Sequence, residues 1–149
     1  MATGTYFGVV KVWRVDTGAL LRTIVGHAVA VRSLVFSPTG SSLFTASDDK
    51  QVKQFSFEYG SEIRTFAGHV SAVLAVAASS DGQRIASGSY SGRLLIQNVA
   101  DGEVLNKIET ESCINSISYS RDGSRLATGS NNYKCKIYDD KNLDIVGEI

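Results

Sequence analysis

Proline is nearly absent from this chain: Pro38 is the only one, and it stands in the run Phe36-Ser37-Pro38-Thr39-Gly40, where it marks a turn. Cysteine is scarce as well. Cys113 and Cys135 are too far apart for a metal-ligand pair and too few for a disulfide framework. Such usage suits reduced thiols and a cytoplasmic or nuclear setting. An excess of either charge is missing too, with 15 basic and 15 acidic side chains. A neutral chain lacks the electrostatic footprint of a general nucleic-acid binder. No apolar run approaches the length of a membrane span. A sustained 3.6-residue apolar period is also missing, so no segment reads as an amphipathic helix.

What the chain does have is a repeat. Gly26-His27 and Gly68-His69 are 42 residues apart, and other markers keep the same register. Trp13 is followed at that spacing by Phe55 and Gln97, and then, one residue short, by Tyr138. The turn Ser37-Pro38-Thr39-Gly40 recurs as Ser79-Ser80-Asp81-Gly82 and as Ser120-Arg121-Asp122-Gly123. A third marker runs through Leu43–Ser47, Ile85–Ser89 and Leu126–Ser130. Met1-Ala2-Thr3-Gly4-Thr5 aligns with Leu126–Ser130, so the chain is expected to start inside a unit whose first strand is missing. Lys11, Arg14 and Asp16 lie in that register, which argues against a signal peptide.

Each unit reads as four short strands. In the first complete unit these are Val31–Ser37, Ser42–Ser47, Gln51–Phe57 and Glu62–Phe66. Short β-rich runs separated by Gly, Asp and Ser predict an all-β fold. The expectation is fifteen strands: three in a partial unit over residues 1–25, and four each in residues 26–67, 68–109 and 110–149.

The Gly-His pairs, the Ser-Pro-x-Gly turn, the Thr45-Ala46-Ser47-Asp48-Asp49 segment and the Val9-Val10-Lys11-Val12-Trp13 strand resemble the WD repeat of β-propeller proteins. The resemblance covers essentially the whole chain. It implies a partial propeller of three complete blades and one three-stranded blade. It also implies a hydrogen-bonded network in each blade, tying the turn before the first strand to the second and third strands. The matching residues are His27, Thr45, Asp49 and Phe55 in the first complete unit. In the next they are His69, Ser87, Ser91 and Gln97, and in the last Glu111, Thr128, Asn132 and Tyr138. Thr3 and Trp13 match in the partial unit, where Phe7 takes the place of Asp. The repeats are degenerate, since only His27, Thr45 and Asp49 keep His, Thr and Asp together. The run Gly26–Pro38 is similar, more locally, to the WD subunit shared by the Ski and Paf1 complexes, which would imply partners among their subunits.

Other readings of the same residues are weaker. His27, Asp49 and Thr45 could be arranged as base, orienter and nucleophile, but the resemblance already gives them a structural role. His27 and His69 would lie in different blades, which disfavours a metal. Cys113 stands near Glu111, and a carboxylate makes a thiol less reactive. Gly88-Ser89-Tyr90-Ser91-Gly92 lacks the Lys-Ser/Thr and the helix of a phosphate cradle. Lys50, Lys53, Lys134 and Lys136 read as solvated strand and turn positions.

No cofactor, metal or catalytic residue is expected. The resemblance implies a partner-binding face on one end of the ring, here Tyr6, Ala28, Ala30, Asp48, Val70, Ala72, Tyr90, Cys113 and Asn131. The expected function is a non-enzymatic scaffold for proteins or peptides. The alternatives are a ubiquitin-ligase substrate receptor, disfavoured because no unit ends in Trp-Asp-x-Arg, and an RNA-binding propeller. Neither a membrane nor nucleic acid is an expected partner. Closing the ring is expected to need self-association or a missing N-terminal half.

Overall fold

The computed structural model describes residues 1–149 and contains fifteen strands and no helix. The first sheet holds β1 (Ala2–Gly4), β2 (Val9–Trp13) and β3 (Leu20–Val25). The second holds β4 (Val31–Phe36), β5 (Ser42–Ser47), β6 (Val52–Ser56) and β7 (Glu62–Phe66). The third holds β8 (Val73–Ala78), β9 (Arg84–Ser89), β10 (Arg93–Asn98) and β11 (Val104–Glu109). The fourth holds β12 (Ile114–Tyr119), β13 (Arg125–Ser130), β14 (Cys135–Asp139) and β15 (Ile145–Glu148). Every sheet is an antiparallel meander in chain order, and the four do not close on one another.

The turn chemistry explains the meander. Between the first two strands of each complete sheet, Ser37, Ser79 and Ser120 accept backbone N–H bonds from Ser42, Arg84 and Arg125, each at 3.0 Å. Gly40, Gly82 and Gly123 close these turns at φ of 73°, 70° and 70°, the left-handed region that glycine enters without strain. One residue bulges in the first strand of each complete sheet, between Val31 and Ser33, Val73 and Ala75, and Ile114 and Ser116. The bulge lets Arg32 and Asn115 reach Asp48 and Asn131 in the turn between the second and third strands.

The core lies between sheets rather than within one. Val10, Val12 and Ile24 meet Leu43 and Phe55 at the first joint. Phe44, Ala46, Val52 and Phe66 meet Val73, Val76 and Ile85 at the second. Ala86, Leu94 and Ile96 meet Ile114, Leu126 and Tyr138 at the third. The first residue of each inner strand acts as a knob against a small residue of the preceding sheet. A Cβ on Gly4 would come within 2.7 Å of Val31 Cγ1, and one on Gly88 within 2.5 Å of Ile114 Cγ2. Ala46 holds the same place facing the cluster of Val73. Val73 and Ile114 are fully buried, each stabilising its joint by about 1.5–3 kcal/mol.

A second tie runs along the outer rim and was not anticipated from sequence. Arg22 donates to the Glu58 and Tyr59 carbonyls of the next sheet. Arg64 donates to Asp101 and Ala100, both at 2.7 Å, and Asn106 to Lys141 at 2.8 Å. These donors stand one repeat apart. Their signal was present as a periodic polar residue on the outer strand, but it is masked by the other exposed polar residues there. The third joint also carries an ion pair between Arg84 and the buried Asp140.

Candidate functional site

The network before the inner strand is complete only in the second sheet. His27 Nδ1 donates to Asp49 Oδ2 at 2.8 Å, and His27 Nε2 lies 2.7 Å from Thr45 Oγ1. Burial lowers the His27 pKa against the opposing pull of Asp49, so the ring is neutral. A carboxylate only accepts, so the proton sits on Nδ1 and Nε2 accepts from the Thr45 hydroxyl. Asp49 also takes the amides of Ala28 at 3.2 Å and Gln51 at 3.1 Å. Burial acts to raise the Asp49 pKa, but the bond from His27 and these two amides outweigh it and hold the carboxyl below its usual value. Phe55 meets the His27 ring edge-on at 6.3 Å and donates nothing.

In the third sheet the pattern changes. His69 Nε2 lies 2.7 Å from Ser87 Oγ, but its Nδ1 is buried without a partner. Ser91, which stands where Asp49 does, bonds Ser71 instead. Burial, helped by the Arg93 charge, lowers the His69 pKa to about 4. Gln97, fully buried, donates to the carbonyls of Ala67 at 2.9 Å and Gly102 at 3.2 Å. In the fourth sheet Thr128 and Tyr138 are both buried. In the first, Trp13 Nε1 donates to Thr3 Oγ1 at 3.0 Å.

These placements bear on chemistry. The side chain of His27 is 0 % exposed and Thr45 is fully buried, so no substrate reaches the His27–Asp49–Thr45 group. No group of three His, Cys, Asp or Glu side chains is arranged to hold a metal ion.

The positions expected to meet a partner divide into three groups. Tyr6, Val70 and Tyr90 stand out, at 74 %, 62 % and 67 % exposed, and Ala28 is exposed beside them. Asp48 and Asn131 are engaged by the bulge residues, Asp48 by the Arg32 guanidinium at 2.6 and 2.8 Å and Asn131 by the Asn115 amide. Ala72 is half-buried, while Ala30 and Cys113 are buried under their own loops and offer a partner no side chain. Phe7 at 81 % and Tyr133 at 100 % exposed belong to the same turns and were missed. They sit one and two places past the position used for Tyr6 and Asn131, and only the turn geometry shows that these places also face outward.

The class of protein is now defined: four meandering sheets, packed face to face in a repeating register, form an open segment of a β-propeller. The WD domain, G-beta repeat model matches residues 18–56, 60–97 and 102–139, and the chain belongs to that family. These matches begin one period apart but cut the repeat at the outer strand.

Among its relatives, the rat apoptotic protease-activating factor 1 is 37 % identical over 102 residues, covering 68 % of this chain and 8 % of that protein. The periodic tryptophan protein 2 homolog of Schizosaccharomyces pombe is 33 % identical over 149 aligned positions, covering 85 % of this chain and 17 % of its own length. The nuclear distribution protein nudF of Aspergillus terreus is 43 % identical over 53 residues, 36 % of this chain and 12 % of that protein. The chain thus spans less than a fifth of each of these relatives. The local likeness to the Ski and Paf1 subunit finds no counterpart among these three.

Proposed function

We propose that the chain is a non-enzymatic scaffold that presents the turn-bearing end of its sheets to a protein or peptide partner, in the cytoplasm or nucleus. The observation that carries this reading is the exposure of Tyr6, Val70 and Tyr90, while the acid–base side chains nearby are locked into structural bonds. Tyrosines are frequent anchors of binding energy in interfaces. The relatives that share these WD repeats are themselves many times this length.

Electrostatics favour protein over RNA. Lys53 pairs with Glu62 at 2.8 Å, Arg93 with Glu109 at 2.6 Å, and Lys134 with Glu148 at 2.6 Å. Each of these three cations is paired with an outer-strand glutamate, which weakens its pull on a phosphate backbone.

A photo-crosslinking residue at Tyr90 is expected to capture a discrete partner in cell extract, and one at Leu105 on the outer rim is not. Equal capture at both positions, or turnover on a substrate panel that survives Tyr90→Ala, would overturn the reading.

A further inference from the structure

At position 91 the third sheet departs from the second, and the departure leaves a donor without an acceptor. The turns before β6 and β10 follow one backbone path. Asp48 N–H donates to Ala30 at 3.0 Å and Lys50 N–H to Ser47 at 3.1 Å. One repeat later, Tyr90 N–H donates to Ala72 at 2.9 Å and Gly92 N–H to Ser89 at 3.1 Å. Lys50 and Gly92 both take a positive φ, 71° and 86°. The Ser91 Cβ therefore starts where the Asp49 Cβ does. Asp49 accepts there from His27 Nδ1 and from the Ala28 and Gln51 amides. Serine carries its oxygen one bond closer to the backbone than a carboxylate does. Ser91 bonds Ser71 at 3.0 Å and Ser89 at 3.1 Å, and His69 Nδ1 stays buried without a partner. A cation lies at the same spot. The Arg93 guanidinium donates to the Gly68 carbonyl, beside His69 in the chain, and to Glu109, both at 2.6 Å.

We propose that Ser91 is a phosphorylation site, and that its phosphate takes the place Asp49 holds in the second sheet and closes the third sheet's network onto His69. The inference rests on the cytoplasmic or nuclear setting proposed above, and not on partner binding. Three serines meet in this cluster, and only one is open to an enzyme. Ser89 is fully buried and Ser71 half-buried, whereas Ser91 is exposed in the turn between β9 and β10.

The chemistry is transfer from a nucleoside triphosphate by a protein kinase. Ser91 Oγ forms a bond to the γ-phosphorus, and the bond from that phosphorus to its bridging oxygen breaks. The hydroxyl proton passes to the kinase's base, and the nucleoside diphosphate leaves. The product carries a charge of about −1.5 to −2 and three acceptor oxygens. Those oxygens stand one bond farther from Cβ than the oxygens of an aspartate, which extends the reach that serine lacks. Three donors suit them: His69 Nδ1, the Arg93 guanidinium, and the Val70 amide, counterpart of the Ala28 amide that Asp49 takes. His69 Nε2, 2.7 Å from Ser87 Oγ, then accepts from that hydroxyl as His27 does from Thr45. Glu109 is the opposing carboxylate, and Arg93 lies between it and the turn.

The test uses the full chain with phosphoserine installed at position 91 during translation. A second chain carries it at Ser80, an exposed serine in the turn at the other end of β9. With phosphate on Ser91, His69 is expected to titrate at least about one pH unit above the 4 of the unmodified chain, because a bonded anion favours the imidazolium. The melting midpoint is expected to rise by about 2–4 °C. Phosphate on Ser80 is expected to move neither. Mass spectrometry of the chain recovered from cells with phosphatases blocked is expected to find phosphate on Ser91, and the Ser91→Ala chain is expected to lack it. Three outcomes overturn the proposal: a His69 that still titrates near 4 beside phosphoserine 91, a phosphoserine 91 chain that melts lower or fails to fold, or a recovered chain that carries no phosphate on Ser91. None of these readouts involves a partner, so failed capture at Tyr90 leaves them untouched.

Discussion

The second and third sheets start from nearly the same sequence plan and solve one problem differently. Both set a histidine behind the turn that precedes the inner strand, His27 buried and His69 half-buried. In residues 26–67 the ring is held at both nitrogens, by Asp49 and Thr45. In residues 68–109 it is held at one, and Nδ1 is left bare. Packing does not separate the two sheets, since β5 and β6 are buried as fully as β9 and β10, and the difference lies in the histidine bonds. The network carries greater risk, because loss of one member strands a charge.

The largest expected effect follows from that asymmetry. We predict that His27→Ala costs about 2–3 kcal/mol, as the half-buried Asp49 carboxylate keeps only its Ala28 and Gln51 amides and the buried Thr45 hydroxyl loses its acceptor. His69→Ala is expected to cost only about 1–2 kcal/mol, since no charge depends on it. Urea denaturation of the two variants measures the difference, and equal losses would remove the distinction between the blades.

Acid separates them next. His69 titrates near 4 in the folded chain against an ordinary 6.5, so the unfolded chain takes up the proton first as pH falls. Stability is complete above about pH 6.5 and declines until about pH 4, by roughly 3 kcal/mol at most. His69→Gln is expected to flatten that slope. An unchanged pH profile in this variant would place the acid sensitivity elsewhere.

Ser91→Asp would make the third sheet resemble the second. The new carboxylate is expected to accept from His69 Nδ1, raise the His69 pKa and add about 1 kcal/mol. NMR titration of the two histidines reads this directly, and a His69 resonance that still titrates near 4 would refute it. The smallest effect belongs to the rim. Arg22→Ala is expected to cost about 0.5–1 kcal/mol, because its bonds to Glu58 and Tyr59 are exposed. A loss as large as that of His27→Ala would make the rim tie, rather than the network, the main link between blades.

Much of the fold was legible before any coordinates. The 42-residue spacing and the Ser-x-x-Gly turns repeat because each blade must present the same faces to its neighbours, and that demand is written locally. Asp49 and Thr45 could be assigned to His27 only through the resemblance to the WD repeat. Other residues could not be placed. Ala30 and Cys113 share a position class with Tyr6 and Tyr90, yet they are buried while the tyrosines stand in solvent. The Arg22, Arg64 and Asn106 ties join residues 35–37 positions apart across a joint, where no short-range pattern points to the partner.

By itself, the sequence determined the all-β repeat and its period, because strand alternation and turn chemistry act over a few residues, while the resemblance to the WD repeat named the candidate members of each blade's polar network. Only the tertiary structure decided which of those members find partners and which loop side chains reach water. Those outcomes depend on how one sheet packs against the next, and the residues that settle them are far apart in the chain.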